Sequence, residues 1–146
     1  MNKYLITLLI GLVMAFAATG AMALTFTIEE DSFNRDGGIT SFAAPYDFSG
    51  SISWSTSFNT PGTHSYITFI DPEIDQLING FFNEYGEAHG SLASGQSWEI
   101  DEPGWVFGDI YNNFVAGSLD NSNGVPSSAP DDVSMGLGWN FNLLSG

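Results

Sequence analysis

The last stretch of the chain, Asp131–Leu144 (DDVSMGLGWNFNLL), constrains the fold more than any other. Val133, Met135, Leu137, Trp139, Phe141 and Leu143 alternate without a break with Ser134, Gly136, Gly138, Asn140 and Asn142. A period of two puts all the apolar side chains on one side of a strand. Slipping by one residue would turn every one of them outward, so the register has to be fixed by what packs on it. The strand is expected in the middle of a sheet, its apolar side facing a helix or an opposing sheet. The glycines on its other side imply a small-residue face or a close backbone approach.

A cover for that sheet is expected from Asp71–Gly86 (DPEIDQLINGFFNEYG). Ile74, Leu77, Ile78, Phe81, Phe82 and Tyr85 form one stripe at helical spacing. Asp71 is placed to cap, Pro72 to open and Gly86 to stop the helix, with Glu73 and Asp75 in its first turn. Elsewhere the pattern is of strands and turns. Leu24–Asp31 alternates as a half-buried strand. Tyr46–Asn59 and Tyr66–Ile70 flank the turn Thr60-Pro61-Gly62-Thr63 and read as a hairpin. Gln96–Asp101 (QSWEID) puts Trp98 and Ile100 on one face and Glu99 and Asp101 on the other, the expected solvent side. Gly108–Gly117 reads as a second, short helix, with Asp109 as cap, Ile110, Phe114 and Val115 inward, and Gly117 as stop. The expected fold is mainly β, an antiparallel β-sandwich or jelly-roll-like domain with one amphipathic helix over about 72–85 and a second over about 109–116.

The first 23 residues read as a secretory signal peptide rather than as part of the fold. Lys3 precedes an apolar run from Leu5 to Ala18, and Ala21-Met22-Ala23 is a small-residue cleavage site. Residues 24–146 are then expected to form a single extracellular domain. Without cysteine, an exported chain is held by its core or by core plus bound ions. The chain has 17 acidic side chains and two basic ones, Lys3 and Arg35. Removing the leader leaves 17 against one, a balance of −16. Nucleic-acid binding is excluded because phosphate neutralisation needs Lys and Arg, and docking on an anionic membrane is excluded on the same ground. Solubility outside the cell and recruitment of divalent cations are what such a charge serves.

Calcium is the one cofactor the spacing suggests. Asp120-Asn121-Ser122-Asn123-Gly124 offers side-chain oxygens at alternate positions, and Asp131 follows eleven residues after Asp120. An EF-hand would have glycine where Val125 stands and glutamate where Asp131 stands, so any site is a looser one drawn from Asp109, Asp120, Asp131 and Asp132. Trp54, Trp98 and Trp139 lie on inward stripes. Trp105, after Pro103-Gly104, is the ring expected to be exposed, and so the candidate platform for a glycan. His64 and His89 fall in loops with no metal-ligand spacing. No serine stands in a G-x-S-x-G context and there is no P-loop, so the chain is expected not to be an enzyme.

The segments FFNEYG (81–86), GQSWEIDEPG (95–104), FGDIYNNFVAGSLDNSNGVP (107–126) and DDVSMGLGWNF (131–141) together resemble a subgroup of the bacterial PEP-CTERM, exosortase-sorted proteins. The resemblance implies passage through the export machinery and signal peptidase of a Gram-negative bacterium. It also implies sorting by an exosortase, a location at the cell surface or in the biofilm matrix, exopolysaccharide as a partner and no enzymatic activity. The family's tail is a Pro-Glu-Pro motif, a hydrophobic helix and a basic cluster. Pro103 and Pro126 are isolated and nothing after Asp131 is basic, so the expectation is either a natural chain that continues or free secretion.

Overall fold

The computed structural model describes residues 26–42, 44–48, 55–74 and 82–144. Six strands and one helix are found among them: β1 (Phe26–Arg35), β2 (Gly38–Ser41), β3 (Tyr46–Phe48), β4 (Gly62–Ile74), β5 (Gln96–Asp101), α1 (Ile110–Ala116) and β6 (Ser134–Leu143). The strands make one antiparallel sheet in the order β2-β1-β4-β6-β5. β3 pairs with the start of β1, and β2 with its end. The protein is therefore mainly β with a short helix. A second sheet that would complete a sandwich or jelly roll is not among the described residues.

The expected helix over 72–85 is corrected at both ends. Asp71, Pro72, Glu73 and Ile74 are the last residues of β4, paired with β1. Pro72 sits opposite Ile28 beside a bulge at Glu29, an irregular part of the ladder where a residue without an N–H is tolerated. Residues 75–81 lie outside the described residues. Phe82 is 69% exposed rather than covering the sheet. Glu84 is bridged to Asp131 through both backbone groups. Gly86 is buried, and a side chain there would run into Ile100, so it serves close approach rather than stopping a helix. Asp71–Ile74 are strand because β1 supplies their ladder bonds.

The hairpin expected between Tyr46–Asn59 and Tyr66–Ile70 is also corrected. Tyr46–Phe48 adds to β1, while β4 begins at Gly62 and runs between β1 and β6. The second helix forms as the sequence indicates, with Ile110 and Phe114 buried and Gly117 ending it in the left-handed conformation (φ 78°). Val115 points outward instead of inward. The Asp109 side chain caps no backbone N–H.

β6 is central, as its pattern requires, but the helix lies on the side not expected. α1 packs over the face that carries Gly136 and Gly138. Ile67, Phe69, Ile110, Phe114 and Leu119 form a cluster there, with Tyr111 against it. A side chain at Gly136 would lie 3.1 Å from Leu119 Cδ1, so glycine is what lets the cover come this close. Asn34, buried, donates through Nδ2 to the carbonyl of Phe114 at 2.8 Å and pins the helix end to β1. On the other face, Met135, Leu137, Trp139, Phe141 and Leu143 are half-buried. Phe141 and Leu143 pack against a smaller cluster of Ile28, Phe58, Tyr66 and Ile70, and Met135 against another of Ile100, Val125 and Val133.

Candidate functional site

Two groups of acidic side chains lie on the helix-covered face. Glu99 and Asp101 alternate with Trp98 and Ile100 on β5, so they point to the α1 side. The residue before α1, Asp109, completes a trio with one oxygen from each carboxylate within 4.8 Å of the others. This corrects the expectation that Glu99 and Asp101 face solvent: Glu99 is 1% exposed. Its Oε1 accepts from Asn113 Nδ2 of α1 at 2.9 Å, and its Oε2 from the Asp120 N–H at 3.1 Å. Burial raises the Glu99 pKa and the charges of Asp120 and Asp109 add to the rise, while these two donors oppose it. Asp101 Oδ2 accepts from the Asp109 N–H at 2.9 Å, and Asp109 Oδ1 from Asn113 Nδ2 at 3.2 Å. Three hard oxygen donors at this spacing match the ligand chemistry of calcium.

The four aspartates singled out from the sequence do not converge. Asp109 belongs to the trio. Asp120 touches it through its backbone, but its side chain turns to the Ser122 N–H at 2.8 Å. Asp131 accepts from the Asp132 N–H at 3.0 Å and is tied to Glu84. Asp132 belongs to a second acidic group, further along the same face.

That second group is built by β4 and β6. Their ladder ends at Ile70↔Met135, and Asp71 and Glu73 on one chain segment and Ser134 and Asp132 on the other follow it. Ser134 Oγ donates to Asp71 Oδ1 at 2.6 Å, and the Trp105 indole also hydrogen-bonds Asp71. Glu73 is 7% exposed, and its Oε2 is buried without a hydrogen-bond partner; so is Asp132 Oδ1. Burial, then the charges of Asp132, Asp71 and Glu29, push Glu73 up to about 7. Burial, then Asp71, Glu102 and Asp131, push Asp132 up to about 6.

Arg35, the single Lys or Arg among the described residues, serves neither group. It donates to the Ser57 carbonyl at 2.7 Å and lies 4.6 Å from the centre of the Phe58 ring. It is eight residues along β1 from Thr27, the partner of Glu73, a distance of about 25 Å.

Trp105 is 57% exposed, with its ring 4.9 Å from Tyr111 and with Val106 and Phe107 exposed beside it. Trp98 and Trp139 are half-buried, and Trp54 lies outside the described residues. His64 is in β4 rather than a loop. Its ring is held by Asp36 and the Thr60 carbonyl, each at 2.8 Å. His89 is exposed beside Glu87.

Glu99, Asp101, Asp71 and Glu73 were not among the expected ligands. Glu99 and Asp101 were discoverable: they share a face with Gly136 and Gly138 across the β5–β6 ladder, and the helix needs that face. Glu73 was hidden by the helical reading of its segment. No family model matches the chain, and no curated protein or solved structure is similar to it. Among the described residues no helix is long and apolar enough to cross a membrane.

Proposed function

We propose that the chain is an exported, non-catalytic domain of a Gram-negative cell surface or extracellular matrix, sorted by an exosortase-type system. The leader pattern and the resemblance to PEP-CTERM ectodomains support export and sorting. The observation that carries a structural role is Glu99. It is buried, and both of its oxygens are taken by donors from two separate segments, so it ties a strand, a helix and a loop together. Asp36, Asp31 and Asp71 do similar work at other junctions, on Ser65, Tyr46 and Ser134. An acidic chain that spends its carboxylates on its own joints suits a secreted domain without disulfides. The test is to express the full chain in a Gram-negative host and weigh the product recovered outside the inner membrane. A mass beginning at Leu24 is expected; an uncleaved chain retained in the cytoplasm would remove the proposal.

The second reading is a calcium- or glycan-dependent adhesive module. It rests on the trio Glu99, Asp101 and Asp109 and on the exposed Trp105 ring. Titrating intrinsic fluorescence with soluble polysaccharide, with and without calcium, tests it. An unchanged spectrum in both series removes this reading and leaves the first intact.

A further inference from the structure

We propose that Glu73 and Asp132 are the carboxylate ligands of a divalent-cation site of calcium type, separate from the Glu99 trio. The site lies between the ends of β4 and β6, on the face that carries Trp105. The β4–β6 ladder ends at Ile70↔Met135; just beyond it Ser134 reaches Asp71, and the Asp132 charge acts on Glu73. Each holds a buried oxygen that accepts no hydrogen bond, and Glu73 as a whole is 93% buried. An ionised carboxylate oxygen in that position costs stability until a proton or a cation meets it.

Among the described residues, the charges that act on this group are all negative. Glu29 and Glu30 come from β1, Asp71 from β4, Asp131 from the segment before β6, and Glu102 from the end of β5. Arg35 is at the far end of β1. Asp71 is held in place by Ser134 and Trp105, so it adds fixed potential without having to move. Oxygen donors alone, with no imidazole or thiolate near, select a hard cation, and calcium accepts the irregular, partly hydrated geometry that two carboxylates leave.

The experiment is thermal unfolding of the purified protein at pH 8, in EDTA and in millimolar calcium chloride. Calcium is expected to raise Tm by about 5 °C. The double variant Glu73→Gln, Asp132→Asn is expected to lose the calcium shift while its Tm in EDTA at pH 8 rises, since it removes like-charge repulsion. Asp101→Asn, in the trio, is expected to keep the shift. No shift at pH 8, a shift that survives the double variant, or a shift lost in Asp101→Asn would each overturn the site. Terbium luminescence excited through tryptophan gives a reading that needs no variant: sensitised emission displaced by calcium is expected, and its absence counts against the site. The outcome is independent of where the protein is located, so export can fail while this holds, and the reverse.

Discussion

The two faces of the sheet differ in a way that runs against the usual reading of an alternating strand. On β6 the apolar residues Met135 to Leu143 are half-buried, whereas Ser134, Gly136 and Gly138 on the opposite side are buried. Depth of burial follows how closely the cover approaches, and small residues allow the closest approach. The helix face gains its apolar content from the helix and from Ile67 and Phe69 of β4, not from β6. The lesson is that hydrophobic alternation identifies a strand and its two sides, while the side with less bulk can be the one that is sealed.

The sharpest way to break this contrast is to truncate one large residue on each face. Phe114, 0% exposed on the helix face, is expected to cost about 3–5 kcal/mol as Phe114→Ala. Leu137→Ala, on the half-buried face, should cost about 1–2 kcal/mol, because less area leaves water. Urea unfolding with an unchanged m-value measures both, and equal losses would erase the distinction.

Next in size is Glu99→Gln, at about 2 kcal/mol. The amide cannot accept from both Asn113 and the Asp120 N–H, so one buried donor loses its acceptor. A smaller loss, about 1–2 kcal/mol, is expected for Gly136→Ala, whose new methyl meets Leu119. Leu119→Ala in the same chain should relieve part of it, and additive losses would show that the glycine is not there for the helix cover.

The smallest effect concerns the other end of β4. The Thr60 carbonyl and Asp36 raise the His64 pKa. Burial works the other way on Asp36, but the Ser65 N–H, His64 and Arg35 outweigh it and lower its pKa. A raised histidine stabilises the fold fully below its unfolded value near 6.5, and that part is lost as pH rises through the folded value. The lowered Asp36 contributes above its unfolded value and fades as pH falls through the folded one. Subtracting the Tm–pH curve of Asp36→Asn from that of the wild type should leave a shallow hump between those limits, and a flat difference would show the pair to be inert.

Much of the architecture was legible in the chain. The β6 alternation, Gln96–Asp101 and the short helix closed by Gly117 stand where their local patterns put them, and the first strand forms but runs four residues past its expected end, to Arg35. These patterns are decided within a few residues. What was not legible depended on partners distant in sequence. Asp71–Ile74 read as the opening of a helix but are held as strand by β1. Tyr46–Phe48 pairs with β1 rather than with its neighbour across the nearest turn, a choice no local pattern records. Of the expected calcium ligands, Asp109 and Asp132 fall in two different acidic groups. Their companions Glu99, Asp101 and Glu73 come from strands, where a carboxylate on the face opposite an apolar residue is ordinarily assigned to solvent.

The loop that first drew attention as a run of oxygen ligands, Asp120 to Gly124, has a different consequence. It runs along the open side of β5. The Trp98 N–H donates to Asn121 Oδ1 and its carbonyl accepts from the Asn121 N–H; the Ile100 N–H donates to the Ser122 carbonyl and its own carbonyl accepts from the Gly124 N–H. Every hydrogen-bonding group that Trp98 and Ile100 would offer a further strand is already engaged. Edge-to-edge polymerisation through β5 is thereby blocked. At the opposite border, among the described residues, the outer strands are the short β2 and β3, and β2 is exposed along its whole length.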